Sequence, residues 1–355
     1  MSPTTTTRLR IARPGIVVAG QEKAELAERL IRLEVAERVD GLYRCEAVFG
    51  NWGTKNGSTG FLFFDRALLD FGKAFQIKLG TDVIFDGRIM ALEGRFPEGG
   101  AGEIGVLAED RLQDLRMTRR TRTFADMSDA AVMQQMAGDY SLTPQVSLNG
   151  PTHKVLAQVN QSDLAFLRER ARQLDAELWV DGTTLNVQAH SARGQNTVPL
   201  GWGRDLREFT VLADLAGQRT KVAVTGWDVA GKSAIRHQAD DAAISSEVGN
   251  DVSGVGILAQ IGERKESIAH ATPFTTQEAQ ALAEAFYRMS ARRFVVGRGV
   301  AEASAQLRVG AVANLSGLGP LFDGKYYVSE VRHVFDAEKG LRTEFTGERP
   351  AVGRP

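Results

Sequence analysis

Apolar and polar residues alternate along the first third of the chain, a pattern that predicts β-strands. The alternation is most regular over residues 42–49. A second pair of strands is predicted at residues 75–79 and 83–90, joined at residues 80–82, where Gly and Asp suit a tight turn. The side chains expected on the buried face of the first strand are those of Tyr43, Cys45, Ala47 and Phe49.

Residues 21–32 leave two interpretations open. Their composition fits an amphipathic helix, but three large apolar side chains are too few to decide between helix and strand.

The middle third has helical periodicity instead. Residues 128–140 follow a cap at Ser128 or Asp126, and residues 160–175 are predicted to form a helix capped by Asn160. Residues 177–180 and 185–187 read as two strands joined by a type I′ turn at Asp181-Gly182, so a helix is expected against a hairpin. The apolar side chains on one face of the second helix are those of Leu164, Leu167, Ala171 and Leu174.

Strands return in the last third. Residues 220–227 alternate as a strand, whereas residues 230–271 are rich in Gly, Ser, Asp and Ala and are expected to form a long irregular loop. Thr275 and Glu278 form a capping box that starts a helix over residues 275–293. A meander follows over residues 321–346, and the residues from Pro350 onwards are expected to be a short tail.

The order of these patterns predicts a mainly β fold with α+β insertions. We place the boundaries at residues 1–118, 119–200 and 201–355, with the extension at 230–271 in the last part.

Composition narrows the classes of function. The chain has 355 residues and a net charge of −1, so it lacks the strong positive electrostatic potential that attracts the phosphates of nucleic acid. Its one cysteine, Cys45, excludes an internal disulfide and a multi-cysteine zinc site. The first ten residues lack the apolar core of a signal peptide, and no apolar run approaches the roughly 20 residues of a membrane helix.

Candidate catalytic groups are scattered. The five histidines lie far apart in sequence; a metal pair of His237 and His270, near the ends of the Gly-rich stretch, stays a minor alternative, and His333 is expected to be packed in its strand. The acidic pairs Asp240-Asp241 and Glu109-Asp110 are expected to be solvated charges rather than the facing carboxylates of a glycosidase. We therefore assign no catalytic, cofactor-binding or metal-binding residues.

The basic residues concentrate between the first and middle thirds. Arginine pairs carboxylates with two parallel hydrogen bonds, so this run could bind an acidic partner surface, or it could be a solvated connector. The residues predicted to contact a partner are Arg116, Arg119, Arg120 and Arg122, and Arg111 precedes them.

A set of segments in the middle and last thirds is more specific in its order and spacing than any one segment alone. The segments are residues 160–168, 178–182, 222–228, 307–310, 315–319, 322–328, 331–333 and 340–345. Together they resemble the phage late control gene D family. This family includes baseplate hubs of contractile phages and related injection systems, and it is similar to the front half of the type VI secretion spike.

The resemblance implies two tube-like β-barrel domains, with a helix-and-hairpin module between them. It also implies a homotrimer whose six barrels mate with a hexameric inner tube, and contacts with other baseplate subunits. Since the chain stops ten residues after Phe345, the spike is expected to be a separate protein. The expected function is a structural, non-enzymatic baseplate hub, assembled in the cytoplasm. The alternatives are a tail-associated cell-wall hydrolase and a truncated type VI spike.

Overall fold

Strands dominate the computed structural model, which describes residues 13–55, 57–194 and 196–354. The mainly β class is therefore confirmed. The elements of the first part are β1 (Gly15–Val18), β2 (Gln21–Glu22), α1 (Ala24–Glu28), β3 (Leu30–Arg38), β4 (Arg44–Gly50), β5 (Trp52–Lys55), β6 (Ser58–Phe61), β7 (Ala74–Leu79), β8 (Asp82–Arg95) and β9 (Glu103–Glu109).

The two strand predictions for this part are confirmed. Residues 42–49 fall on β4 and the residues before it, and all four side chains predicted on the inner face are buried. The β7–β8 pair joins across residues 80–81. The ambiguous residues 21–32 contain a short strand, a helix of five residues around the buried Leu26, and the start of β3.

The middle part alternates helices and strands, as the sequence predicts. Its elements are α2 (Leu112–Arg116), β10 (Arg119–Ser128), α3 (Asp129–Asp139), β11 (Thr143–Ser147), β12 (Thr152–Ser162), α4 (Asp163–Gln173), β13 (Ala176–Asp181), β14 (Thr184–Ala189) and α5 (His190–Arg193).

Both long helices of this part begin at a serine. Ser128 Oγ accepts a hydrogen bond from the N–H of Ala131, as expected for a cap of α3. The predicted Asn160 cap of α4 is wrong, because Ser162 caps that helix. Asn160 remains in β12, since pairing with β10 keeps the chain extended as far as Ser162.

The β13–β14 hairpin is confirmed, but its turn is shifted by one residue. Asp181 pairs with Thr184, so the two loop residues are Gly182 and Thr183. Gly182 has φ +56°, whereas Thr183 has no positive φ. A type I′ turn needs a positive φ at both positions; the observed pattern is that of type II′, with Gly first.

The last part contains more structure than predicted. Its elements are β15 (Thr197–Gly201), β16 (Leu206–Ala213), β17 (Lys221–Asp228), β18 (Ser233–Ala239), a 3-10 turn (Asp241–Ala243), α6 (Ser245–Val248), β19 (Val252–Ser253), α7 (Gly254–Ile261), β20 (Lys265–Ile268), α8 (Thr276–Arg292), β21 (Val295–Glu302), β22 (Val312–Ser316), β23 (Gly324–Asp336), β24 (Gly340–Arg349) and β25 (Ala351–Val352).

The prediction of an irregular loop at residues 230–271 is wrong. Strands β18 and β20 flank β17, and α8 packs on this small sheet. The segment contributes isolated apolar side chains that reach the same core, too widely spaced to show a period. The buried ones in this core are Ile235, Ala239, Ile244, Val255 and Ile268.

The predicted tail is also wrong. Ala351 and Val352 form β25, which pairs with β19 and is buried. The predicted helix over residues 275–293 and the meander are confirmed as α8, β23 and β24.

One large sheet, antiparallel except for the parallel pair of β15 and β22, joins the first and last parts of the chain. Its strand order is β16-β21-β24-β23-β3-β4-β9-β8-β7-β1-β2, and β22 pairs with both β23 and β15 beside this path. The two parts meet where β3 pairs with β23, with Val35 opposite His333 and Leu33 opposite Phe335.

The sheet stays open among the described strands. Two separate closed barrels, as the resemblance implies, are not found among the described strands, and β3 of the first part pairs with β23 of the last. No helix in the described part of the chain is long and apolar enough to cross a membrane.

Candidate functional site

The predicted partner-contact arginines lie on α2 and β10. Arg116 Nη2 donates to Glu109 Oε2 over 2.6 Å, and Arg119 Nη1 donates to the carbonyl oxygen of Asn160 over 3.0 Å. Both side chains are therefore anchored by groups of their own chain.

Asp163, the first residue of α4, holds the other two arginines. Its fully buried carboxylate accepts hydrogen bonds from Arg122 Nη2 (3.1 Å), Gln158 Nε2 (2.7 Å) and the Tyr140 hydroxyl (2.8 Å). Arg120 Nε lies 3.5 Å from the same carboxylate. The structure thus brings Arg120 and Arg122 together, while Arg116 lies on Glu109.

Exposure separates these arginines. The side chains of Arg116 and Arg120 are 47% and 42% exposed, against 23% for Arg122. Arg119 is exposed as well. Each arginine has further N–H groups beyond the partner named above, so the exposed side chains of Arg116, Arg119 and Arg120 retain donors that face solvent. Contact with a partner stays a prediction for these residues.

The acidic pair beside the arginines is buried, which corrects the expectation of solvated charge. The Asp110 carboxylate accepts hydrogen bonds from the N–H groups of Tyr43 (2.8 Å) and Leu112 (2.9 Å). Burial raises the pKa of Asp110 to about 7, although these hydrogen bonds oppose the rise. Glu109 is buried against Arg116. Asp110 therefore fixes the start of α2, and Glu109 holds its last residue, Arg116.

A cavity of about 680 Å³ lies where α4, β13 and α8 meet the end of β3. Charged side chains from all of these elements line it, among them Asp175, Glu177 and Arg292. These three residues belong to buried ionic contacts that join the middle part to the rest of the chain.

The first of these contacts is centred on Arg292 of α8. Its guanidinium donates to both oxygens of Asp175 (2.5 and 2.7 Å) and to both oxygens of Glu247 (2.7 Å each). Burial alone would raise the pKa of Glu247, but the hydrogen bonds from Arg292 hold it below its usual range. Two carboxylates from different elements therefore share one buried cation.

The second contact is centred on Glu177 of β13. It receives hydrogen bonds from His190 Nδ1 (2.8 Å), Arg193 Nη1 (2.8 Å) and the Tyr327 hydroxyl (2.7 Å). Arg193 also donates to the Tyr43 hydroxyl over 2.7 Å. The middle part is thereby tied to β23 and to the residue that precedes β4.

The third contact is centred on His153 of β12. Its ring nitrogens lie 2.7 Å from Glu278 Oε1 and 2.9 Å from Asp129 Oδ2, and Arg170 donates to Asp129 as well. Burial would lower the pKa of His153, but the two carboxylates raise it to about 9. The imidazolium at neutral pH links α3 to the start of α8.

A fourth polar group lies in the β3–β23 seam. Glu37 is buried, pairs with Arg308 and accepts a hydrogen bond from the N–H of Val309; burial raises its pKa. His333 is fully buried, as predicted, with Nδ1 3.1 Å from Thr343 Oγ1. Burial lowers the pKa of His333 to about 3, so this ring is neutral.

These groups are suited to holding elements together. The carboxylates described above bind cations or N–H groups, and Cys45 lies in the core, where burial raises its thiol pKa. Within the described ranges, no three His, Cys, Asp or Glu side chains could hold a metal ion. His237 on β18 and His270 beyond β20 lie on opposite sides of β17.

The sequence patterns did not predict the buried ionic contacts, although the position of Glu37 indicated one of them. Glu37 follows Leu33 and Val35 on the inward-facing positions of β3, and an acidic residue at such a position predicts a buried partner. The partner Arg308 is 271 residues away in sequence, so no local pattern could identify it.

Comparison with solved structures shows which proteins share this fold. A 43 kDa tail protein of prophage MuSo2 from Shewanella oneidensis matches with a TM-score of 0.69 and 13% identity, over 95% of this chain and 98% of that one. A tail protein from Neisseria meningitidis MC58 matches with a TM-score of 0.64 and 12% identity, over 95% and 96%. The chain has the fold of phage tail proteins.

A component of the E. coli type VI secretion system also matches, with a TM-score of 0.53 and 12% identity, over 92% of this chain and 76% of that one. The comparison with curated proteins gave no match. The family described as the Alg8 N-terminal domain matches residues 11–336, and the chain belongs to this family. It is a different family from late control gene D.

Proposed function

We propose that this protein is the structural baseplate hub of a phage tail or a tail-like contractile injection particle. In this role it forms a trimeric ring that joins a hexameric inner tube to a separate spike protein. The observation that carries the proposal is the fold match over almost the full length of two prophage tail proteins. The proposal includes kinship with the late control gene D hubs, which the sequence motifs suggest.

In the proposed ring, each chain would contribute two tube-like units, so three copies would present six units to a sixfold partner. In this proposal, residues 1–118 and 201–355 are the two domains, and residues 119–200 are a module between them. Each part supplies consecutive antiparallel strands to the large sheet, on either side of the β3–β23 seam. A cyclic ring uses one heterologous interface repeated around its axis.

The ionic contacts support a mechanical role. Arg292, Glu177 and His153 each join elements from different parts of the chain. Separating the charged groups of a buried ion pair has a large free-energy cost. A hub between tube and spike has to keep its parts aligned under load, and a cross-linked module suits that task.

We propose no enzymatic activity. The buried ionisable groups engage each other, whereas a hydrolase needs a carboxylate or nucleophile that faces a substrate. In this proposal, Arg116 and Arg120 contact an acidic surface of another baseplate subunit, and Arg119 and Arg122 position the strand that carries Arg120.

The test is co-purification of this protein with candidate tube and spike proteins, followed by light scattering and imaging of the particles. We expect a mass of three chains for the hub and a ring at the end of the tube. A monomer in assembled particles, or its absence from them, would refute the hub. Clearing of a cell-wall suspension by the isolated protein would refute the absence of enzymatic activity.

A further inference from the structure

Strands β10 and β12 form a two-stranded ribbon that pairs with no other strand among the described residues. One side of the ribbon is buried in the core of the middle part through Phe124 and Leu156. The other side is exposed and carries no charge. Its residues are Thr123 and Ala125 on β10 and Val155, Ala157 and Val159 on β12. Val155 and Val159 are 54% and 64% exposed, so β12 presents an apolar strip to solvent.

The outer edge of β10 is unpaired. On residues 119–125, the backbone N–H and C=O groups that point away from β12 have no hydrogen-bond partner in the described part of the chain. The edge strand β2 of the large sheet has only two residues, whereas β10 has ten. A free backbone edge of this length is a template to which an extended chain can add as a further strand.

A bulge and charged side chains restrict which strands can pair with β10. The register shifts between Arg120 and Arg122, so Thr121 is an extra residue in the strand. Bulges and charges on an edge prevent indiscriminate pairing. A strand that carries carboxylates overcomes this barrier, because arginine binds a carboxylate with two parallel hydrogen bonds.

The start of the ribbon is positively charged on its exposed surface. Arg119 is exposed and has no ion pair among the described residues; it donates to the carbonyl oxygen of Asn160. Arg120 shares the carboxylate of Asp163 with Arg122. The carboxylates bound to the arginines of this end are Glu109, Asp139 and Asp163. Since Glu109 and Asp163 are buried, the charge that faces solvent here is mainly that of the arginines.

We propose that an extended acidic segment of another baseplate subunit adds to the free edge of β10. Its backbone pairs with residues 119–125, and its carboxylates bind Arg116 and Arg120. The subunit that carries this segment covers the apolar strip of β12. This inference rests on the proposed hub function, because the partner is a subunit of the same particle.

Site-specific cross-linking in purified particles tests the added strand. The test variant has photoreactive benzoylphenylalanine in place of Thr123, on the exposed side of β10. The matched control has it in place of Thr183, which is exposed in the turn of the β13–β14 hairpin. We expect a covalent product between the Thr123 variant and a different particle protein, attached within a segment that contains Asp or Glu, as read by peptide mass spectrometry. We expect no such product from the control.

The possible failures of this test are distinguishable. A product with another copy of this chain would overturn the added strand and leave the hub intact. So would the same product from both positions, or no product in particles that contain the Thr123 variant. Absence of the unmodified protein from the particles would refute the hub and the added strand together.

The role of charge is tested in the same particles. Arg120→Gln in the Thr123 variant leaves Asp163 bound to Arg122, so the fold should survive, and circular dichroism checks this. The control is Arg264→Gln, at an exposed arginine that has no ion pair among the described residues. We expect Arg120→Gln to lower the yield of the cross-linked product by about tenfold, the effect of losing one charged hydrogen bond. An unchanged yield, or an equal loss in the control, would overturn the recognition of an acidic segment.

Discussion

Arg292, in the last turn of α8, donates to both carboxylate oxygens of Asp175, which follows the end of α4. Both side chains are almost fully buried, at 6% and 8% exposure. This contact fixes α8, the longest helix among the described residues, against the middle part. Replacing Arg292 would leave the carboxylates of Asp175 and Glu247 without their shared cation.

We therefore predict that Arg292→Met lowers the free energy of unfolding by about 3–5 kcal/mol, the usual cost of removing one partner of a buried ion pair. Urea unfolding followed by circular dichroism measures the change. Arg293→Met, at the exposed neighbouring position, is the control and should have an effect within about 0.5 kcal/mol. A similar decrease in the free energy of unfolding in both variants would show that the buried ion pair of Arg292 does not stabilise the fold more than an exposed arginine does.

The stripe of α4 gives a second prediction. Leu164 and Leu167 are buried in the same cluster as Leu178 and Leu185 of the β13–β14 hairpin. Leu167→Ala should reduce the free energy of unfolding by about 2–5 kcal/mol, because it leaves a cavity. Leu212→Ala, at a position 64% exposed on the edge strand β16, should change it little. An unaltered melting curve for Leu167→Ala would place α4 outside the cooperative unit.

His153 predicts a dependence of stability on pH. Its pKa is raised to about 9 in the folded chain, above an unfolded value of roughly 6.5. A raised histidine pKa means that its stabilising contribution is complete below about pH 6.5 and is lost as pH rises through about 9.

The measurement is the free energy of unfolding of the natural protein and of His153→Gln between pH 6 and pH 10. The difference should be on the order of 1–3 kcal/mol at pH 6 and should shrink towards pH 10. His270→Gln, at an exposed position, is the control. A constant difference across this range would show that His153 stabilises the fold without its charge.

The closing strands provide a fourth prediction. β23 pairs with β22, β24 and β3, so a chain that ends before Phe322 loses the centre of the large sheet and exposes strand edges. We expect this truncation to aggregate, whereas removal of residues 354 and 355 should leave a cooperative thermal transition. A soluble truncated chain that unfolds cooperatively would contradict the role of β23.

Residues 249–262 can be tested by hydrogen exchange. Gly254 N–H donates to the carbonyl oxygen of Pro350 over 3.1 Å, and Leu258 is fully buried. We therefore expect amides of α7 to be protected in the isolated chain, and deletion of residues 350–355 to reduce that protection. Full exchange of α7 in the intact isolated chain would instead support ordering by a neighbouring subunit.

Local sequence patterns determined those elements whose apolar residues are regularly spaced. The alternation around Cys45 specified β4, because the buried face of a strand repeats every second residue. The stripe through Leu164 and Leu167 specified α4, and Thr275 with Glu278 specified the start of α8. The residues that make up each signal lie close together in the sequence, so each element could be predicted without knowledge of the fold.

Tertiary structure decided what those elements join. The segment at residues 230–271 folds because its scattered apolar residues meet α8, and β25 forms because β19 offers a free edge. The pairing of β3 with β23 brings together Val35 and His333, almost 300 residues apart in the sequence. The same holds for the buried contacts of Arg292, Glu177 and His153. A buried charge is stabilised by partners that only the folded chain brings within hydrogen-bonding distance, and for this reason the sequence alone could not assign them.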